Sequence, residues 1–281
     1  MKIFTMALML TAAALIVGLG WMYVRPINWS AASSAMAESH QQNATITGKR
    51  SAVIVELFTS EGCSSCPPAD KVLAELEKTQ PVADAEIIVL SEHVDYWNYI
   101  GWSDPFSSAL FSARQQAYAP VFRNDGVYTP QMVVDGQAEF IGSNLTKAQT
   151  AIARAAKLPK GEVSVQSALD AQSVKLKISV AKLPAIVAND TAELLLAITE
   201  NNLTSQVARG ENSGRRLPHT AVVRELRSLG NLNGSSKPFQ TETTLLIGKN
   251  WKRENLRAVA FVQERRNKRI LGAASTNLTR E

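Results

Sequence analysis

The chain has 281 residues, of which 30 are basic and 25 are acidic, so its formal net charge at pH 7 is +5. The basic residues are not gathered into one stripe with interleaved aromatic residues, and this distribution argues against a nucleic-acid-binding protein. Only two residues are cysteine. Both fall in one short motif, so we expect any cysteine chemistry at a single place.

The N-terminus carries an apolar segment. The run Ile3–Val24 contains no charged residue, and its length suffices for a helix across a bilayer, which needs about 20 apolar residues. Residues 1–25 are therefore expected to be a signal peptide, with a small-residue cleavage site at Ala35–Ala37, or an uncleaved anchor. We favour the anchor because the cleavage site lies far beyond the apolar run. Both alternatives predict a periplasmic or other extracytoplasmic protein that contacts the membrane through this segment only.

The composition divides the rest of the chain into three parts. Residues 26–50 are rich in Ser, Ala, Gln, Asn and Thr without periodicity, which is typical of a linker. The folded part begins near Ser51 and holds about 230 residues, enough for one large or two modest domains. The pattern changes again at Pro159–Gly161. We therefore predict a first domain over residues 51–157 and a second over residues 158–281.

The first predicted elements are a strand and a helix that enclose the two cysteines. Val53–Phe58 is a run of β-branched, aliphatic and aromatic residues, which predicts a buried strand. Ala69–Lys78 has Val72, Leu73 and Leu76 on one face, which predicts a helix. The intervening C-x-x-C motif, Cys63 to Cys66, is in the context that indicates a redox centre.

The order of these elements favours a reactive thiolate. A helix N-terminus lowers the pKa of a nearby thiol, because unpaired N–H groups and the helix dipole favour negative charge. Cys63 would lie at the mouth of the helix and Cys66 inside its first turn, so Cys63 is the candidate nucleophile and Cys66 the resolving thiol. Pro67 and Pro68 suit a first turn, where a missing N–H has little consequence.

A second buried strand, Glu86–Leu90, runs into the unusual loop Ser91–Trp102. A polar and aromatic loop at the carboxyl end of such a strand is where open α/β sheets place ligands. Within it, His93 and Asp95 are candidates for proton transfer to or from the thiols. The aromatic loop would set specificity, with His93, Asp95, Tyr96 and Trp97 as substrate-binding candidates. The alternative is that His93 is a hydrogen-bonded structural residue and the aromatic side chains cap the core.

The remainder of the first domain alternates between helix and strand. Ser103 or Asp104 is expected to cap a helix that runs to about Ala119. Asp135–Gly136 is a two-residue hairpin signal. The other predicted elements are the strands Met132–Val134 and Gln137–Ile141, and a last helix capped by Asn144 or Ser143 that runs to about Ala156.

This order of elements resembles the thioredoxin fold, and the first domain is therefore expected to be an α/β thioredoxin-like domain. In that family a dipeptide before the third strand carries a cis peptide bond, faces the C-x-x-C motif and helps to bind extended polypeptide. Thr129–Pro130 stands at this place. The resemblance thus implies that Pro130 belongs to the catalytic site and that Thr129 binds substrate. Ser64–Ser65 replaces the usual Gly-Pro pair between the cysteines.

The chain is also similar to the DUF1223 family of uncharacterised secreted bacterial proteins. The motifs that carry this similarity are Glu56–Asp70, His93–Trp97 and Tyr128–Gln131. The resemblance spans roughly residues 51 to 275. It implies a thioredoxin-like domain and an envelope location, and it implies no reaction.

The second domain is predicted to be a mostly antiparallel β-sandwich, because short alternating strands are separated by turn residues. A Gly-rich basic loop, Arg209–Thr220, precedes the strand Ala221–Leu226. This loop either reaches across to the redox domain or is a surface loop in which His219 packs against a strand, and we favour the second interpretation because most isolated histidines are structural. The other expected strands are Val163–Ser167, Val174–Val180, Ala192–Ile198, Thr243–Ile247, Leu256–Val262 and Arg269–Ala274.

Three hypotheses for the function follow. The first is an envelope thiol–disulfide oxidoreductase without a cofactor, acting on a polypeptide or small-molecule disulfide or thiol with an envelope redox partner. The second is a binding protein in which Cys63 and Cys66, with His93 and Asp95, hold copper or zinc. The third is a structural disulfide that joins the helix to its strand. We favour the first because of the context of the C-x-x-C motif.

Overall fold

The computed structural model describes residues 50–170, 173–232 and 238–279. The predicted anchor over residues 1–25 and the predicted linker, except Arg50, lie outside the described residues. Within the described part of the chain, no helix is long and apolar enough to cross a membrane.

The first part of the described chain has the predicted order of strands and helices. Its elements are β1 (Ser51–Thr59), α1 (Cys66–Thr79), β2 (Ala85–His93), α2 (Ala109–Gln116), α3 (Ala119–Phe122), β3 (Gln131–Val134), β4 (Ala138–Ile141) and α4 (Leu145–Ala155).

The second part of the described chain is built of strands. They are β5 (Glu162–Leu169), β6 (Ser173–Ala181), β7 (Ala192–Glu200), β8 (Leu203–Gln206), β9 (Arg216–His219), β10 (Val222–Leu232), β11 (Phe239–Leu246), β12 (Leu256–Glu264) and β13 (Ile270–Asn277). Among the described residues the fold is therefore mostly β, with the α-helices in the first part and one short 3-10 helix, Arg253–Asn255, in the second.

One mixed sheet of eight strands runs through both parts in the order β13-β12-β7-β10-β2-β1-β3-β4. β1 and β2 are parallel, and β3 pairs with β1 antiparallel. The two parts join where Val222 of β10 pairs in parallel with Ser91 of β2. The domain boundary at residue 157 stays a prediction, and the segments on its two sides share this sheet.

The core lies on both faces of the sheet. Along β1, Val53, Val55 and Leu57 pack against α1 and α4, whereas Ile54 belongs to the cluster on the opposite face. Burial on both faces explains why β1 is a nearly continuous apolar run in the sequence. In the second part, the small sheet β11-β6-β5 covers β7 and β12, so two apolar sheet faces pack against each other.

The helix expected after the aromatic loop begins later than predicted. Ser108, and not Ser103 or Asp104, is the N-cap of α2, since its Oγ accepts from the N–H of Leu110 at 3.2 Å. Oδ1 of Asp104 accepts from the N–H of Phe106 at 2.9 Å and Oδ2 binds His93, so Asp104 closes a single turn and not a helix. Residues 94–107 are thereby held as a loop over the carboxyl edge of the sheet, which is where the site lies.

Candidate functional site

The C-x-x-C motif lies at the carboxyl end of β1 and at the N-terminus of α1. Cys63 and Cys66 are joined by a disulfide, and Cys66 is the first residue of α1. Both cysteines are inaccessible, with 1% and 0% of their surface exposed, although Ser64 and Ser65 between them are exposed. The position agrees with the predicted redox motif, and the burial shows that other parts of the chain cover it.

A distant segment of the chain covers the disulfide. We call residues 207–215, which connect β8 to β9, the cover segment. The side-chain amide of Asn212 donates to the carbonyl oxygens of Glu61 and Cys63, each at 2.9 Å. The N–H of Ser64 donates to the carboxylate of Glu211 at 2.8 Å. Asn212 is fully buried, so the cover segment is anchored on the turn that holds the cysteines.

The aromatic loop meets the cover segment above Gly62. A Cβ atom at Gly62 would lie 3.1 Å from Cδ1 of Ile100 and 3.3 Å from Cβ of Trp97. A Cβ at Gly210 would also lie 3.1 Å from Ile100. Ile100 therefore fills a gap between two glycines, one on each side of the site, and a larger residue at either glycine would force the two loops apart.

The indole of Trp97 connects the aromatic loop to the segment before β3. Its Nε1 donates to Oγ1 of Thr129 at 2.7 Å, and the Thr129–Pro130 peptide bond is cis. The carbonyl of Pro130 accepts from the N–H of Gly142 at 2.9 Å. Trp97 thus contacts both the C-x-x-C turn, at Gly62, and the cis-proline segment.

Two buried histidines lie behind the disulfide turn, each oriented by a carboxylate. Nδ1 of His93 donates to Asp104 at 2.7 Å, and Nε2 of His219 donates to Glu61 at 2.9 Å. The imidazole rings are in edge contact with centroids 5.1 Å apart. Within the described residues, the remaining nitrogen of each ring is buried without a hydrogen-bond partner. A carboxylate that fixes one ring nitrogen leaves the other free to exchange a proton.

Asp70 completes the group of ionisable side chains. It lies one turn after Cys66 on α1, so the two side chains share a helix face, and its Oδ1 accepts from Oγ1 of Thr59 at 2.9 Å. Burial raises the pKa of Asp70, and the nearby His93 and His219 only partly offset this. A carboxyl group with a raised pKa takes up a proton more readily than an exposed aspartate does.

The His93–Asp104 pair is a charge-assisted interaction. Burial alone would lower the pKa of His93, but Asp104, with Asp70 and Glu61, more than compensates and raises it. For Asp104, burial raises the pKa, but the hydrogen bonds from His93 and from the N–H groups of Glu61 and Phe106 lower it overall. The pair therefore favours an imidazolium beside a carboxylate.

The structure separates the residues proposed from the sequence into two groups. His93, Trp97, Thr129 and Pro130 lie around the C-x-x-C turn as described. Asp95 instead accepts from Oγ of Ser112 at 2.5 Å, and Tyr96 donates to Gln115 at 3.0 Å, so both engage α2. Burial raises the pKa of Tyr96 to about 12.

The structure adds residues that the sequence interpretation left out of the site, namely Glu61, Asp70, Asp104, Glu211, Asn212 and His219.

In the described ranges, no group of three or more His, Cys, Asp or Glu residues is arranged so that it would hold a metal ion. The metal hypothesis uses the imidazole of His93 as a ligand. Nδ1 of that ring is bound to Asp104.

Comparisons with known proteins place this chain in a wider group. The sequence profile of DUF1223, described as "Protein of unknown function", matches residues 54–263. A crystal structure of a protein from Agrobacterium tumefaciens is 25% identical, with a TM-score of 0.62 over 83% of this chain and 97% of that one. HBP35 of Porphyromonas gingivalis is 15% identical, with a TM-score of 0.59 over 82% of this chain and 76% of that one, and shows a shared fold. No curated protein matches the chain.

Proposed function

We propose that this chain, which belongs to the DUF1223 family of proteins of unknown function, is a thiol–disulfide oxidoreductase that uses Cys63 as nucleophile and Cys66 as resolving thiol. The observation that carries the proposal is a C-x-x-C disulfide at a helix N-terminus with buried ionisable side chains directly behind it. Structural disulfides need no such group, whereas redox-active cysteines need a path for protons.

The fold supports a thioredoxin-like assignment for the first part. Its strands lie in the order β2-β1-β3-β4, and α1 and α4 pack on the same face. In this arrangement the motif lies at the carboxyl end of the central strand β1. The family match and the shared folds name no activity, so the reaction rests on the site.

The reaction is an exchange that conserves electron pairs. With the pair reduced, the thiolate of Cys63 attacks one sulfur of a substrate disulfide, forms a mixed disulfide and releases the first substrate thiol. Cys66 then loses its proton and attacks the sulfur of Cys63, which releases the second substrate thiol and re-forms the Cys63–Cys66 bond. Two electrons pass from the dithiol to the substrate disulfide, and an envelope dithiol must return them in the next cycle.

Asp70 is the group best placed to accept the proton of Cys66. It lies one helical turn away, and burial raises its pKa, so the proton can move over a short path within the protein. His93 lies close enough to influence the charge of Asp70 and has one free ring nitrogen. In this scheme Asp70 takes the proton, and the positive charge of His93 stabilises the Asp70 carboxylate once that proton leaves.

The substrate would bind where the aromatic loop meets the cis-proline segment. Thr129 and Pro130 would hold an extended backbone, with Trp97 and Tyr96 as one wall and the buried His93 beneath it, while Asp95 would hold the loop on α2. Because Cys63 is buried, the cover segment must move before a substrate sulfur can reach it. An extracytoplasmic location, with the N-terminal segment as anchor or leader, suits this chemistry since disulfides persist there.

The reduction potential of the pair tests the proposal. The full chain is equilibrated in glutathione buffers, and its thiols are trapped and counted. We expect a potential between about −270 and −120 mV, the range of known oxidoreductases. A pair that stays oxidised below about −300 mV would show that the disulfide is a structural staple. As a second measurement, C66S should accumulate a mixed disulfide with glutathione at Cys63, whereas C63S should not.

A further inference from the structure

The C-x-x-C turn offers few N–H groups to a thiolate on Cys63. Pro67 and Pro68, in the first turn of α1, have no N–H to donate. The N–H of Cys66 already donates to the carbonyl of Cys63 at 3.2 Å. The N–H of Ser64, directly after Cys63, is therefore one of the few that remain at this helix terminus. Such N–H groups are the source of the stabilisation that a thiolate gains there.

That remaining N–H is taken by a carboxylate from the second part of the chain. Glu211 lies 147 residues after Ser64 and accepts its N–H at 2.8 Å. Hydrogen bonding from Ser64, first from its side chain and then from its backbone N–H, lowers the pKa of Glu211, so a full negative charge lies beside the cysteine turn at neutral pH. Asn212, which binds the carbonyl of Cys63, fixes the cover segment in this position.

We propose that Glu211 is a redox-tuning residue, a positioning residue that makes the Cys63–Cys66 pair more reducing. This inference rests on the proposed function and deepens it, because it states in which direction the cover segment shifts the reduction potential of the pair. A negative charge next to Cys63 and the loss of the Ser64 N–H both disfavour the thiolate. A dithiol whose thiolate form is disfavoured gives up its electrons more readily, since stabilising the reduced form is what makes such a pair oxidising.

Other charged groups face the turn, and the inference concerns only the difference that Glu211 makes. Arg215 donates to the side-chain oxygen of Asn212 at 2.7 Å, so its cation lies on the same segment. From the sheet side, Glu61 and Asp70 contribute negative charge, and His93 and His219 are paired with carboxylates or lie near them. A substitution that changes Glu211 alone leaves these groups in place.

The test compares E211Q with the unaltered full chain. Glutamine keeps an oxygen that can accept from Ser64 but removes the charge. We expect the equilibrium with glutathione to shift threefold to tenfold towards the dithiol, where tenfold corresponds to about 30 mV for a two-electron couple. The thiol pKa of Cys63, measured from the pH dependence of its alkylation, should fall by about half a unit to one unit, in step with the shift in the equilibrium. E211A, which also removes the acceptor, should shift the equilibrium in the same direction.

Ionic strength separates a charge effect from a structural one. Glu211 is exposed, so salt should screen its charge, and the difference between E211Q and the unaltered chain should shrink between 0.01 and 1 M salt, about a tenfold change in Debye length. E242Q, an exposed glutamate of β11, is the matched control and should leave the equilibrium unchanged. An equilibrium that is unchanged in E211Q, shifts towards the disulfide, or shifts independently of salt would overturn the inference.

The same data keep this inference apart from the proposed function. If the pair resists glutathione altogether, the oxidoreductase assignment fails, yet the ratio between E211Q and the unaltered chain can still be measured against a stronger dithiol. If the pair has the potential of an oxidoreductase but E211Q does not alter it, the assignment stands and the role of Glu211 is wrong.

Discussion

The cover segment should control how fast the disulfide can be reduced, and N212A tests this. Asn212 binds the cysteine turn through two hydrogen bonds, to Glu61 and to Cys63, both at 2.9 Å. At about 1 kcal/mol for each, their removal lowers the stability of the closed arrangement by about 2 kcal/mol. Since each 1.4 kcal/mol is a factor of ten, the open fraction should rise about 30-fold.

The assay is the rate at which a phosphine reductant opens the Cys63–Cys66 bond, followed by trapping of the free thiols. If the reductant reaches the sulfurs only after the segment has opened, the observed rate is proportional to the open fraction. N212A should therefore be reduced about 30-fold faster than the unaltered chain. The contact between Arg215 and Asn212 lies within the segment and does not enter this estimate.

N201A is the matched control. Asn201 also binds the backbone of a distant residue, since its Oδ1 accepts from the N–H of Ala221 at 2.6 Å, but it does not bind the cysteine turn. We expect a comparable loss of stability and an unchanged rate of reduction. Equal rates in N212A and the unaltered chain, with both proteins folded in thermal unfolding, would refute the idea that the cover segment limits access.

Three further predictions concern the groups behind and beside the disulfide. D104N should lower the melting temperature by about 6–20 °C, because breaking a buried ion pair removes about 3–5 kcal/mol and each kcal/mol is worth about 2–4 °C at this size. The contribution of this pair depends on pH. At high pH this stabilisation is lost as the pH rises above 6.5 and through the raised pKa of His93. At low pH the stabilisation is lost as the pH falls below 3.8 and through the lowered pKa of Asp104. H93Q should flatten the upper limb of the melting temperature against pH. D70N should slow disulfide exchange but keep or increase stability at pH 7, because a raised pKa means that ionised Asp70 destabilises the folded state. T129V, which removes the acceptor for Trp97, should weaken substrate binding with little change in the reduction potential; an altered potential would contradict this.

The local elements of the first part could be predicted because their signals are short-range. The apolar run of β1, the cysteines and the helical face of α1 follow one another within a few turns of chain. Asp135 and Gly136 both have positive φ, 52° and 68°, as the hairpin signal predicts, although the loop between β3 and β4 holds one residue more, Gln137, than a two-residue hairpin. Asn144 caps α4 by accepting from Lys147 at 2.9 Å. In each case the residue that sets the structure lies within a few positions of its partner.

The start of α2 could not be predicted because a tertiary contact overrides a local preference. Asp104 followed by Pro105 is a good cap sequence. Its Oδ1 accepts from the N–H of Phe106 at 2.9 Å and closes a single turn, while its Oδ2 accepts from His93 and from the N–H of Glu61 at 2.9 Å. A cap is worth about 1 kcal/mol, whereas a buried charge-assisted pair is worth more to retain. The helix therefore begins at the next cap, Ser108.

The residues that the second part of the chain contributes to the site, Glu211, Asn212 and His219, could not be predicted from the sequence for a topological reason. Asn212 and Cys63 are 149 residues apart, and they meet because β10 pairs with β2 at Ser91, which places β9 and the cover segment above α1. A Gly-rich loop with a single histidine is typical of a protein surface, and we favoured that interpretation. The structure supports the alternative, since the loop reaches the cysteine turn and His219, at 4% exposure, is bound to Glu61.

The same long-range arrangement agrees with the proposed function and is not required by a structural disulfide. Closing so short a loop between cysteines gains little chain entropy, so stability alone would not require the motif. The fold nevertheless buries two histidines at the motif and leaves one nitrogen of each without a partner among the described residues, which is unfavourable for folding. It also retains Asp70 with a raised pKa where an asparagine would be better tolerated. Groups that oppose stability at one place, next to a C-x-x-C motif, are what proton-coupled thiol chemistry requires.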